Sequence, residues 1–128
     1  MSLKESLSVM VVDDMATSRG LIIMSLEEMG IKKIDFRKDG GEALQSLVAK
    51  PVHLVISDYN MPGMDGLALL KSLRENRMTS RIGFILVSGR MTPEILDAGK
   101  ARGMNNYIQK PFSTLQLKAC IQAVVGQL

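Results

Sequence analysis

With 128 residues, 46% of them apolar and 23% charged, the chain has the length of one compact domain that buries roughly two thirds of its unfolded surface without staples. Its single cysteine, Cys120, excludes an internal disulfide, and no uninterrupted apolar run approaches the ~18 residues of a membrane span. The net charge of +3 comes from 16 Lys and Arg against 13 Asp and Glu scattered along the chain, and with 4% aromatic residues and no Trp there is neither a basic block for nucleic acid nor a stacking platform for single strands.

Met1 to Leu7 forms neither a cationic leader nor a hydrophobic signal, which points to a cytoplasmic protein. The first β-favouring run, Val9–Val12, is continuously apolar and ends on Asp13-Asp14. Helical apolar spacing follows and closes at Gly30, where a left-handed C-cap residue would let Ile31 pack back. A second run spans Lys33–Phe36, after which Asp39 and Glu42 have capping-box spacing for the next helix. The third run, Val52–Ser57, leads into Asp58 and the loop Tyr59-Asn60-Met61-Pro62-Gly63. The fourth, Phe84–Val87, ends on Ser88-Gly89. Thr92-Pro93-Glu94 then sets a cap, an N1 proline and an acid in order, and Gly103 with Met104 behind it ends that helix. The fifth run, Asn106–Gln109, reaches Lys110-Pro111, and Ser113 with Gln116 opens a last helix in which Cys120 lines a face with Leu117, Ile121 and Val124.

Strand then helix, five times over, predicts an α/β fold. Right-handed crossovers put helices on both faces of an open parallel sheet, with one domain over residues 1–128. The first, third and fourth runs, apolar throughout, are expected to be the strands covered on both sides.

In such a sheet the ligand site lies beyond the carboxyl ends of the strands, and there the polar residues gather. Taken singly, each has an ordinary reading. Asp13-Asp14 suits a turn and helix cap, Asp58 an Asx turn in a proline-glycine loop, and Lys110 a solvated lysine leaving a strand. Together on one edge they read differently. Three carboxylates within ~4 Å repel by several kcal/mol per pair at an effective dielectric near 20, so they need a cation or protons. An all-oxygen site suits magnesium shared with a phosphate. Lys110 would then supply a charge to a phosphoryl oxygen, Ser88 a hydroxyl, and Gly89 an amide that no side chain shields.

Asp13-Asp14, Asp58 in Ser57-Asp58-Tyr59-Asn60-Met61-Pro62-Gly63-Met64-Asp65-Gly66, Ser88-Gly89, Tyr107 and Lys110-Pro111-Phe112 resemble the receiver domains of response regulators over essentially the whole chain, most of all the single-domain regulators of chemotaxis. The resemblance implies a flavodoxin-like, doubly wound (βα)5 fold with strand order 2-1-3-4-5. It implies that Asp58 is the nucleophile, taking a phosphoryl group from a histidine kinase, with Mg2+ held by Asp13, Asp14, Asp58 and the backbone carbonyl of Asn60. Lys110, Ser88 and Gly89 would bind the phosphoryl group. Ser88 and Tyr107 would form a switch that alters the face made by the fourth helix, fifth strand and fifth helix of the repeat. A downstream protein would read that face, the flagellar motor switch being one candidate. The chain would be a signalling phosphoacceptor and not an enzyme in the ordinary sense, assisting its own phosphorylation and dephosphorylation. It would act as a monomer, with no nucleic-acid or membrane partner. A receiver of a phosphorelay outside chemotaxis, or one taken from a longer regulator, matches the same motifs.

Arg90 departs from the acidic residue expected at its position, beside the path of attacking water, so the dephosphorylation rate does not carry over. Gly83 is unusual within a strand and often marks a close contact. His53, opening the third strand some 16 Å from Asp58, reads as a solvent-facing edge residue. Met15, Met24, Met29, Met61 and Met64 read as core filler, since thioethers do not suit a hard-oxygen site. A flavin binder would share the strand pattern, but Asp13-Asp14 would repel the phosphate its first loop must cradle.

Overall fold

The computed structural model describes residues 2–128. Its elements are α1 (Leu3–Ser6), β1 (Ser8–Val12), α2 (Ala16–Glu28), β2 (Lys33–Arg37), α3 (Gly40–Ala49), β3 (Leu54–Asp58), α4 (Gly66–Glu75), β4 (Gly83–Ser88), α5 (Pro93–Arg102), β5 (Asn106–Gln109) and α6 (Thr114–Val125). The sheet is parallel throughout, in the order β2-β1-β3-β4-β5.

The continuously apolar runs are the three central strands: every residue of β3 is buried, as is all but the first of β1 and of β4. Alternation along these strands feeds two cores. Val9, Val11, Leu54, Ile56, Ile85 and Val87 pack with Ile22, Leu26, Leu117 and Ile121 of α2 and α6. Met10, Val12, Val55, Phe84 and Leu86 point the other way, onto Ala43, Leu47, Leu69, Leu70 and Leu73 of α3 and α4. Burying side chains of this size contributes ~1.5–3 kcal/mol each, so the sheet becomes a stiff platform for the residues at its carboxyl edge.

The helix signals act as read. Asp39 accepts from the Glu42 amide and Thr92 from that of Ile95, while Ser113 and Gln116 close a reciprocal capping box. Gly30 and Gly103 adopt φ of 90° and 89°, with the amides of Ile31 and Met104 reaching back to Leu26 and Gly99.

Three expectations need correction. α1 is an additional single turn, after which buried Leu7 enters the core. The third strand begins at Leu54, so Val52 and His53 precede it. His53 is exposed as expected, and it is tied to β1: the Ser8 amide donates to its Nδ1 at 3.0 Å, and its own amide donates to the Ser8 carbonyl at 3.1 Å. The methionines divide. Met29 and Met61 are buried, whereas Met15, the residue before α2, is 60% exposed and Met24 is 55% exposed, the latter because α2 turns Ile22 and Leu26 inward and leaves its outer side to solvent. Gly83 has a packing reason. A Cβ there would stand 3.1 Å from Leu54 Cδ1 and 3.3 Å from both the His53 carbonyl oxygen and Val124 Cγ1.

Candidate functional site

The register assembles the site. Val12 is paired with Ser57, so Asp13 and Asp58 stand side by side at the ends of neighbouring strands; Asp58 is paired with Val87, which puts Ser88 one residue beyond it. Ser88 is paired with Gln109, and Lys110 follows. Residues scattered over most of the chain thereby converge on one notch.

Asp13 is wholly buried and Asp58 nearly so, while Asp14 is exposed at the rim. One carboxylate oxygen from each lies within 4.8 Å of the other two. Asp13 Oδ1 accepts from the Met15 amide at 3.0 Å, which fixes the carboxylate and leaves Oδ2 buried without a hydrogen-bond partner. The Lys110 ammonium approaches that oxygen only to 3.6 Å, beyond hydrogen-bond reach, so three clustered carboxylates face one cation, an arrangement that a divalent ion would relieve. The donors are all hard oxygens, and they fit magnesium. Burial pushes the Asp58 carboxyl above its ordinary value; Lys110 draws it part of the way back, and the charges of Asp13 and Asp14 add to the rise.

Lys110 extends across the notch. Its Nζ lies 3.0 Å from Asp58 Oδ1 and 3.6 Å from Asp13 Oδ2, and it donates to Ser18 Oγ at 2.7 Å. The ammonium thus already occupies part of the space where charge must be balanced. Behind Asp58 the backbone is tightly held. The Tyr59 amide donates to the Val87 carbonyl at 2.8 Å and the Gly66 amide to the Tyr59 carbonyl at 2.9 Å. A Cβ on Gly66 would come within 2.5 Å of the Asp58 carbonyl oxygen, so only glycine fits there.

Ser88 lies at the end of β4, but its hydroxyl is engaged locally, donating to the Arg90 carbonyl at 2.8 Å and accepting from the Arg90 amide at 3.2 Å. Gly89 borders open space, with nothing within 4 Å of where its Cβ would be. Asn60 and Arg90 are exposed around the same opening. Tyr107 stands 40% exposed on β5, paired with Leu86 of β4. Sequence reasoning missed Ser18 and Arg19. Arg19 Nη1 donates to the Asp13 carbonyl at 2.9 Å. Their one sequence signal is position, in the first turns of the helix that follows the acidic pair.

A five-stranded sheet of this order with an acid cluster at its carboxyl edge defines a class, and the chain belongs to the response regulator receiver domain family, which it matches over residues 9–122. Within that family it is similar to chemotaxis proteins. It is 38% identical to the probable chemotaxis protein CheY of Rhizobium etli over 128 residues, 100% of this chain and 99% of that protein. It is 31% identical to chemotaxis protein CheY-3 of Vibrio cholerae, over 98% of this chain and 97% of that one. The crystallised chemotaxis protein CheY4 of Vibrio cholerae superimposes with a TM-score of 0.86 at 29% identity, covering 92% of this chain and 98% of that one. Among the described residues, no helix is long and apolar enough to cross a membrane.

Proposed function

We propose that the chain is a phosphoacceptor: Asp58 takes a phosphoryl group from the phosphohistidine of a histidine kinase, and the modified domain changes a protein-binding surface, in chemotaxis-type signalling in the cytoplasm. The observation that carries this reading is the Lys110 ammonium 3.0 Å from the carboxylate of Asp58, within a cluster of three acids. Asp13, Asp14, Asp58 and the carbonyl of Asn60 are the residues that would hold magnesium, which when bound offsets negative charge on a phosphoryl group.

The chain's own residues supply the rest. Asp58 attacks phosphorus through a carboxylate oxygen, and the bond from phosphorus to the donor imidazole nitrogen breaks, leaving an acyl phosphate on Asp58. Little covalent work falls to the protein, so positioning and electrostatics dominate. Lys110 holds the attacking carboxylate in place and meets a phosphoryl oxygen as charge accumulates. Ser88 gives up its bond to the Arg90 carbonyl to donate to the phosphoryl group, Gly89 leaves its amide accessible, and Tyr107 moves into the space vacated. A group of about −1.5 to −2 charges then biases a two-state surface on α5, β5 and α6, which a downstream protein reads. Similarity to chemotaxis proteins along nearly the full chain supports the chemotaxis setting, and the flagellar motor switch is the candidate target we propose.

The test is incubation with acetyl phosphate and Mg2+, followed by intact mass. Wild type should gain one phosphoryl group and Asp58→Ala none. Equal labelling of the two proteins refutes the assignment. Lys110→Ala should still label while losing response of the α5-β5-α6 surface to beryllofluoride; a normal response would refute the role given to the lysine.

A further inference from the structure

The turn that bears Asp13 and Asp14 is held at three points. The Asp13 amide donates to the Arg37 carbonyl of β2 at 3.2 Å, and the Met15 amide donates back to Asp13 Oδ1 at 3.0 Å. The third hold is Arg19, whose Nη1 donates to the Asp13 carbonyl at 2.9 Å. The same guanidinium lies over the ring of Phe36, 4.9 Å from its centroid. Phe36 belongs to β2 and is paired with Val11 of β1, so the stack is anchored in the sheet. Arg19 therefore ties α2 to β2 and to the turn that bears both acids. Of the three, only Arg19 grips the Asp13 carbonyl, and with Asp13 Oδ1 committed to Met15, a shift of the Asp13–Asp14 peptide would displace Asp13 Oδ2 and the Asp14 carboxylate together.

We infer that Arg19 is a positioning residue for the divalent-cation site: gripped between the Phe36 ring and the Asp13 carbonyl, it sets the peptide from which two of the three acids project. The inference rests on the reading of that cluster as a magnesium site. Charge alone would act in the opposite direction. A guanidinium beside a cation site repels the cation, so if charge were its only influence, removing Arg19 would tighten Mg2+ binding. Orientation gives the other sign, because contacts that hold ligands from behind are worth roughly tenfold or more in metal affinity. Lysine is no substitute, since its compact ammonium cannot stack flat on a ring and donate sideways at once.

The experiment is calorimetric titration of Mg2+ into the full chain as wild type, Arg19→Ala, Arg19→Lys and Phe36→Leu. Melting of each by circular dichroism in metal-free buffer verifies the fold. Arg19→Ala and Arg19→Lys should bind Mg2+ about tenfold more weakly. Phe36→Leu, which leaves every charge in place, should bind about threefold more weakly through loss of the ring face. Unchanged or tighter binding in the Arg19 variants overturns the inference. If Arg19→Ala fails to fold, Arg19→Lys and Phe36→Leu decide by the same criterion. A wild type that binds no Mg2+ overturns the magnesium reading itself, and that failure is visible before any variant is compared.

Discussion

Replacing Lys110 with methionine removes the charge from the notch while keeping most of the aliphatic stem, and the structure gives the effect a size. The ammonium sits 3.0 Å from Asp58 Oδ1 and 3.6 Å from Asp13 Oδ2. At an effective dielectric near 20, those separations correspond to ~5 kcal/mol of attraction each. Most of this is offset, because the lysine side chain is 28% exposed and bringing the three charges together has its own desolvation cost. A net loss of about 2 kcal/mol is expected in metal-free buffer at pH 7, equivalent to a fall of roughly 8 °C in Tm for a domain of this size. The loss should shrink in acid. Burial raises the Asp58 pKa above its ordinary 3.8, so the folded chain binds that proton more tightly than the unfolded one. Its ionised form therefore detracts from stability above the folded pKa, and the penalty fades as pH falls toward the unfolded value. Mg2+ at a hundredfold excess over its dissociation constant adds about 2.7 kcal/mol, and it should rescue the variant more than wild type because it takes over the missing charge. With no Trp in the chain, helix ellipticity is the suitable probe. A variant as stable as wild type without metal, or one that Mg2+ rescues no better, would refute the reasoning.

Further outcomes follow from the same geometry. Gly66→Ala should lose ~2 kcal/mol or more in urea denaturation, because its Cβ would meet the Asp58 carbonyl oxygen at 2.5 Å and Leu86 Cδ1 at 2.9 Å. Gly20→Ala, in the middle of α2 with nothing within 4 Å, should instead gain about 0.5–1 kcal/mol in the same assay. Mg2+ affinity measured by calorimetry should begin to fall at a pH above the range of an ordinary aspartate, since Asp58 must release a proton held more tightly than usual; a titration centred at or below the ordinary value would contradict this. Cys120 is buried and its thiol is pushed up to about 11 by that burial, so a disulfide reagent at pH 7.5 should label it only at the rate of unfolding, and prompt labelling of folded protein would show the burial to be wrong.

The strands were readable because burial on both faces demands unbroken apolar runs, and Val9–Val12, Leu54–Ile56 and Phe84–Val87 meet that demand without interruption. Caps were readable because the backbone groups at a helix end need partners, which Asp39, Thr92 and Ser113 supply. Convergence of Asp13, Asp58 and Lys110 was accessible because parallel pairing carries strand ends to one edge. Side-chain reach escaped this logic. Ser18 meets Lys110 from 92 residues away, and Arg19 bridges Asp13 and Phe36; such contacts depend on rotamers and on where α2 is docked, which no periodicity encodes. α1 is one turn long and too short to show a period. The exposed Met24 shows the complementary limit, in that apolar character alone does not tell which side of a helix faces inward.

The strand that carries Tyr107 and leads to Lys110 is also the most weakly tethered one. β5 has four residues, mates only with β4 along a single seam, and alternates between half-covered and open positions. To one side α6 moors it through Asn106 Nδ2 on the Cys120 carbonyl, at 3.1 Å. A tug transmitted through the lysine therefore meets a light outrigger before it meets the keel of three sunken strands. A disturbance at this flank need not reach the three sunken strands, and amide exchange in β5 should be faster than in β1, β3 and β4.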